Sequence, residues 1–472
     1  MEREFDVVVI GAGPAGEVLA GRLSERGGRR VAIIERALVG GECSFYACMP
    51  SKALLRPAEL LREAARVPGA AAAVAGELDV DAVLARRDQV VNDLDDANQV
   101  PWLVARNIEL IRGHARLDGA RRVRVGDDVL VAREAVVIAV GSGALFPPIP
   151  GLAESGAWSN REITTSREVP AKLVVLGGGV VGVEMAQAWA SLGAHVTIVE
   201  AQERLVPREE PFAGAQLRDA LTLLGVEVHT GVRAIAVERE GEQITVALED
   251  GRSAVGDRLL VAIGRRPLVG DLGLETIDVP SGYVEVDEHL RVPGRPWLYA
   301  IGDVNGRSLL THSGKYQARI AADHILGEDA VALSDGPGAP RVIFTDPQIA
   351  AVGHTLEGAR DAGIAAEAID LPTGGTAGAS FYGRGAPGTT RFVVDVEREV
   401  LVGVTFVGPE VAEFLQAATI AIVAEVQLAT LAHAIAPFPT RSELWLKFIE
   451  AYEQRRQLTL HVAHAPVAAG GA

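Results

Sequence analysis

A glycine-rich turn between an apolar strand and a helix occurs twice in this chain, and that repetition narrows the available folds most. Residues 5–16 read FDVVVIGAGPAG, in which FDVVVI reads as a buried parallel strand closed by a turn with Gly11, Gly13 and Gly16. A helix to about Arg26 and a second strand, VAIIE, follow, the latter ending in Glu35, 24 residues beyond Gly11. The first glycine makes the tight turn, the second lets the backbone approach a pyrophosphate, and the third lets helix and strand pack closely. Glu35 is then placed to accept hydrogen bonds from a ribose. Residues 172–200 repeat the unit with Gly177, Gly179 and Gly182, and its strand ends in Glu200, 23 residues beyond Gly177. Two such units in one chain predict two dinucleotide sites.

Length and charge bound the rest. A chain of 472 residues exceeds one ordinary core, so two to four domains are expected. A net charge of −17 argues against nucleic acid and against an anionic membrane face as partners. The longest uncharged run, 135–153, is interrupted by Pro147, Pro148 and Pro150, so no membrane span is expected. The first residues flow directly into the glycine motif, and no signal segment is expected. Helices are predicted over about 52–65 and 81–105, and strands around 107–112, 121–131 and 135–140. FPPIPG (146–151) reads as a hinge, an α+β pattern starts near Arg341, and the last dozen residues read as a frayed tail.

Cys43 and Cys48 are the only cysteines, five positions apart in GGECSFYACMPSK. Two thiols in this length make no disulfide scaffold, which favours a cytoplasmic setting. An ideal helix holds residues i and i+5 about 8.6 Å apart at Cα, whereas a disulfide needs about 7 Å or less. Bridging therefore requires a departure from helix near Cys43. Pro50 suits the first turn of a new helix, which would leave Cys48 beside a helix N-terminus that favours thiolate. Buried inert thiols, or half of a metal site, are the alternatives. No further ligands with zinc-like spacing accompany the pair, so no metal site is expected.

Taken together, these motifs resemble the FAD-dependent pyridine nucleotide-disulfide oxidoreductases, the group of dihydrolipoamide dehydrogenase, glutathione reductase and mercuric reductase. GAGPAG with Glu35 resembles the FAD fingerprint, GGECSFYACMPSK the redox-active segment with Gly41, and GGGVVGVE the NAD(P) fingerprint. IAVGS (Gly141, Ser142) and YAIGD (Gly302, Asp303) resemble later flavin contacts, and IGRRP (Gly264) the loop closing the nicotinamide site. The resemblance implies an α/β fold of two Rossmann-like dinucleotide-binding domains plus a C-terminal α+β dimerisation domain. FAD would take residues 1–150 and 271–340, NAD(P) 151–270, the interface 341–460, with 461–472 a flexible tail. It implies a homodimer. Cys43 would exchange with substrate, Cys48 would face the flavin, and Lys52 near flavin N5 would pair with Glu184. Asp303 would bond the ribityl chain, with Gly113 and His312 lining the FAD. Glu200 favours NAD(H) over NADP(H), because a carboxylate there repels a 2′-phosphate; nearby Arg204 softens that preference.

One position departs from the family. Its interface domain ends in His-Pro-Thr-x-x-Glu, the histidine being the acid/base for the substrate thiol, but here the segment is FPTRSE and Phe438 replaces it. General acid–base catalysis contributes about 10²–10⁴ in rate. Three readings follow: a disulfide reductase whose base is relocated to Glu443, His433, His461 or His464 or is dispensed with; a quinone, dye or metal-ion reductase, with Phe45, Tyr46 and Phe438 forming a pocket for a flat acceptor; or a non-catalytic flavoprotein subunit. Mercuric reductases and large thioredoxin reductases carry an additional C-terminal cysteine pair, which this chain lacks. Glu42 also stands where the family more commonly has Thr.

Overall fold

A computed structural model describes residues 1–336, 338–386 and 388–463, with side chains as far as residue 457. The chain forms two compact units, one of Met1–Ala58, Glu77–Leu205 and Leu221–Ala339, the other of Glu59–Gly76, Val206–Ala220 and Pro340 onward.

In the first unit, strand β1 (Glu2–Ile10) runs parallel between strand β2 (Val31–Glu35) and Asp128–Ile138. Glu109–Arg112 extends the sheet beyond β2, and Leu298–Ala300 pairs with Asp128–Ile138. Val7 and Val9 enter one apolar cluster and Val8 and Ile10 another, so the strand is covered on both faces. That burial explains the continuous apolar run Val7–Ile10, whereas Glu2, Arg3, Glu4 and Asp6 at the strand's outer end are not buried. A second parallel sheet sets Lys172–Leu176 between His195–Val199 and Arg258–Val261, with Glu227–His229 at one edge. Two short linker strands, Ser142–Ala144 and Arg265–Pro267, pair antiparallel.

The expected helix over 81–105 is not continuous. Val80–Val90 is helical, Asn92, Asp93 and Leu94 take positive φ, and a separate turn Val100–Val104 begins ahead of Pro101. The break turns Asp96 inward, where it accepts from Val39 N (2.7 Å) and pairs with Arg112 (2.7 Å). The strands expected at 121–131 and 135–140 are instead Arg122–Val125 and one long strand, Asp128–Ile138.

The second unit holds a five-stranded antiparallel sheet in the order Arg341–Ile343, Gln348–Gly353, Val400–Gly408, Thr389–Asp395, Ala366–Pro372. Phe392 stacks on Phe448 of the helix Glu443–Ala463 (centroids 4.2 Å apart), and Phe406 meets Phe392 edge-on. That helix continues past residue 460, where the sequence suggests a tail; residues 464–472 lie outside the described residues. Segment Glu59–Gly76 belongs to this unit. Asp346, with its side chain 7 % exposed, accepts from Arg62 Nε (2.9 Å) and from Arg66 Nη2 (2.6 Å). Among the described residues no helix is long and apolar enough to cross a membrane. Removing one partner of a buried ion pair costs about 3–5 kcal/mol, discounted here because both arginines are partly exposed. Asp346→Ala should therefore cost about 2 kcal/mol, seen as a lower urea midpoint and faster proteolysis within 59–76.

Candidate active site

Each glycine turn is built for a ligand's phosphates. Gly11 has φ +107°, and a Cβ there would sit 2.4 Å from Ala139 O; one at Gly16 would sit 2.0 Å from Gly11 O. These two glycines let chain pack on chain. At Gly13, directly before helix α1 (Pro14–Gly27), a Cβ would meet nothing within 4 Å, so backbone N–H groups at the helix start face open space. The second turn repeats this: Gly177 has φ +110° and Ala262 O at 2.4 Å, Gly182 has Gly177 O at 1.9 Å, and Gly179 is open. Both acids act alike. Glu35 accepts from Ala12 N (2.9 Å) and Ala37 N (2.7 Å), and Glu200 from Gly178 N (2.5 Å) and Gln202 N (2.7 Å). Gly113 N donates to Glu35 O at 3.0 Å, which brings Gly113 beside the first cradle. Carboxylate, amide-lined turn and open helix start together fit a dinucleotide at each position.

The cysteine segment leans on the first cradle. Gly40 N donates to Ala12 O (2.7 Å), and a Cβ on Gly41 would lie 2.9 Å from Gly13 Cα. Cys43 sits in a short helix, α2 (Gly41–Phe45), which breaks at Tyr46 (φ −134°, ψ 3°); Cys48 then opens helix α3 (Cys48–Arg66) with Pro50 in its first turn. The departure from helix thus falls between the thiols. Both are reduced and half-buried. The hydrogen bond from Cys43 lowers Cys48 to about 6, against burial and assisted by Thr311, whose Oγ1 lies 3.4 Å from Sγ, and by the charge of Lys52. Cys43 is pushed well up, first by that shared hydrogen bond and then by burial. The pair is asymmetric: one thiolate, one thiol.

Lys52, in the first turns of α3, donates to Glu184 Oε2 at 2.8 Å; Glu184, on the helix Val180–Ser191, is 2 % exposed. The structure therefore joins two residues that lie 132 positions apart. Ser142 Oγ donates to Asp303 Oδ2 at 2.6 Å, uniting the two late motifs. Asp303 is pushed up by burial, opposed by Ser142 and Arg265. Gly141 (φ +70°) and Gly264 (φ +146°) flank the linker strands. His312 lies exposed at the start of the helix Thr311–Ile325, and its neighbour Thr311 is the residue that reaches sulfur. No spacing rule singles Thr311 out, because a hydroxyl at a helix start is an ordinary capping choice.

In the second unit, Glu443 accepts from Thr440 N (3.0 Å), Gly378 N (3.1 Å) and Ala377 N (3.4 Å), which ties the start of its helix to the preceding turn and to the 377–378 segment. Phe438 is 78 % exposed and His433 is exposed. His461 and His464 lie beyond the described side chains. Phe45 is 1 % exposed and packed in the first unit, so the expected open aromatic pocket loses that member. Among the described residues no group of three or more His, Cys, Asp or Glu side chains is placed to hold a metal.

Glu17, in the first turn of α1, was not visible as a site residue. Burial pushes its carboxyl up to about 7, with Lys315 opposing and Glu35 adding. A carboxyl raised in the fold adds stability that is complete below its ordinary value and is lost as pH rises through about 7. Glu17→Gln should therefore leave the urea midpoint unchanged at pH 4 and raise stability by about 2 kcal/mol at pH 8. For Cys48 the sign reverses: a lowered thiol adds stability above its ordinary value, lost as pH falls through about 6. Titrating the reduced protein should show a single thiolate disappearing near pH 6, and Thr311→Val should move that midpoint up by about one unit.

Residues 5–322 match the profile described as pyridine nucleotide-disulphide oxidoreductase, and residues 339–448 match that family's dimerisation domain. The chain is 34 % identical over 470 residues to a dihydrolipoyl dehydrogenase of Thermus scotoductus, covering 98 % of this chain and 99 % of that one. It is 33 % identical over 453 residues to a mercuric reductase of Acidithiobacillus ferrooxidans, covering 93 % and 81 %. Among solved structures, the Cu(II) complex of the HOCl-induced flavoprotein disulfide reductase RclA from Escherichia coli superposes with a TM-score of 0.83 at 26 % identity, covering 95 % and 99 %.

Proposed function

Because the chain belongs to the pyridine nucleotide-disulphide oxidoreductase family, we propose that it carries electrons from NADH through FAD to the Cys43–Cys48 pair and on to an external disulfide. The observation that carries this reading is the asymmetric thiol pair beside the Lys52–Glu184 ion pair. Bound FAD supplies a two-electron relay between nicotinamide and sulfur. Amides of the Gly11–Gly16 turn and of α1 hold its pyrophosphate, Glu35 its ribose, and the Ser142–Asp303 pair its ribityl hydroxyls. Lys52, fixed by Glu184, would lay positive charge beside the flavin ring. The second cradle takes the nicotinamide cofactor. Glu200, its oxygens already held by two backbone amides, repels a 2′-phosphate, so NADH is the donor.

Cys43 as thiolate attacks a substrate sulfur, expelling one thiolate and forming a mixed disulfide. Cys48 then attacks Cys43, expels the second thiolate and restores the internal disulfide. The first step needs Cys43 without its proton, yet Cys43 is the group that keeps it. Glu443 serves to hold Thr440 and the 377–378 segment to the start of its helix. The dimerisation domain makes the working form a homodimer.

A second reading has one observation in its favour: Phe438 carries no proton, which suits a quinone, dye or metal-ion acceptor whose reduction needs no thiol protonation. Anaerobic titration with NADH separates the two. Uptake of two electron pairs, with long-wavelength absorbance after the first, supports the disulfide route; one pair with no such band overturns it. If the disulfide route holds, disulfide reduction should climb as pH rises above 8. Phe438→His should then raise turnover at pH 7 by about tenfold or more while leaving quinone reduction unchanged.

A further inference from the structure

Glu42 stands one residue before Cys43, where the family more commonly has Thr, and its carboxylate is fully engaged. Oε1 accepts from Arg161 Nε (2.6 Å) and also from Arg161 Nη2, while Oε2 accepts from Asn160 Nδ2 (2.8 Å). Asn160 is buried, and its amide also donates to Tyr46 O at 2.9 Å, the residue at which α2 breaks. Thr164 Oγ1 reaches the same carbonyl at 3.2 Å, and the Arg161 guanidinium lies over the Tyr46 ring at 4.5 Å. Both ends of the loop between the thiols are thus tied to one helix, Asn160–Thr165.

The tie extends further. Arg265 Nη1 donates to Asn160 Oδ1 (3.4 Å), Nε to Ser142 Oγ (2.7 Å) and Nη2 to Ser142 O (2.7 Å). Ser142 and Arg265 belong to the two paired linker strands that lead into and out of the second dinucleotide sheet. Ser142 in turn bonds Asp303. A threonine hydroxyl has neither the charge nor the length to engage both Asn160 and a guanidinium, so this clamp is specific to the glutamate.

We propose that Glu42 is a positioning residue for the thiol pair, clamping the Cys43–Tyr46 loop through Asn160 and Arg161 to the linker strands so that Cys43 stays aimed at Cys48. The proposal rests on the electron route above. The influence of each thiol on the other depends on how the loop sets Cys43; the other groups acting on the thiols, Thr311, Lys52 and Lys315, come from elements outside the loop or from α3.

The test is the pH titration of the two-electron-reduced holoenzyme, read by long-wavelength absorbance, for Glu42→Thr, Glu42→Gln and Arg161→Met. Bound flavin at one per chain reports that each variant is folded. Release of the clamp should move the thiolate midpoint up by about one unit, a tenfold loss of thiolate near the midpoint. The Glu42→Gln/Arg161→Met double variant should shift no further than either single one. A midpoint within about 0.2 unit of wild type in Arg161→Met and in either folded Glu42 variant overturns the clamp. Iodoacetamide labelling against pH, with Cys43 and Cys48 resolved by mass, reads the same thiolate without flavin absorbance. An absent band in wild type would then sink the electron route while leaving the clamp tested by labelling.

Discussion

The Lys52–Glu184 ion pair is the interaction on which the rest of the site depends. A carboxylate buried to the extent of Glu184 is costly to keep charged alone, and a partner at 2.8 Å recovers that cost only when held in place. The two ends come from helices with different duties: α3 opens with Cys48, and Val180–Ser191 opens at the second glycine turn. One ion pair therefore sets the helix that opens with Cys48 against the helix that opens at the second glycine turn. It also places an ammonium near enough to Cys48 to favour its thiolate. Loss of either partner would remove the contact that joins these two helices at this point.

Around that pair the chain repeats a single local solution. In each glycine turn two glycines admit close chain packing, a third leaves a helix start open, and a glutamate at the end of the next strand holds the turn by two amides. Each carboxylate is thereby held in place by its own turn, which is the pre-organisation that the proposed ribose contact would use. The dithiol loop is fastened the same way, by Gly40 to the first turn and by Glu42 to Asn160 and Arg161.

What the sequence revealed follows the range of the forces involved. Both strand–turn–helix units are local, dictated by glycine geometry and buried-strand composition, and they are legible as strings. Lys52 with Glu184 became legible only through resemblance, and the Ser142–Asp303 bond only in the structure, because nothing within either segment names a partner more than a hundred residues away. Thr311 and Glu17 escaped because their chemistry comes from burial and from neighbours on other elements, not from spacing. The 81–105 helix was misread because Asp96 turns inward to cap Val39, a tertiary demand that overrides helical periodicity. Phe45 was counted as pocket-lining when it is core, since an aromatic near a redox pair looks alike in both roles until its burial is known.

The asymmetry of the thiols and the phenylalanine at 438 belong to one chemical question. A thiol pair that shares a hydrogen bond can hold one thiolate ready only by leaving the other protonated. In this chain Cys48 is shifted toward thiolate and Cys43 toward the thiol; on the proposed route these are the members that would receive and deliver electrons. On that proposed route, discharge would need an acceptor for the Cys43 proton, which Phe438 cannot be and which Glu443, bound to three amides, is poorly placed to be. The rate of discharge thus passes to the acceptor. One whose sulfur leaves readily as thiolate, or whose reduction requires no sulfur proton at all, meets little resistance, while an ordinary alkyl disulfide meets the full barrier that a histidine elsewhere in the family removes. Selectivity in such a site comes less from a shaped pocket than from which acceptors can do without the missing base.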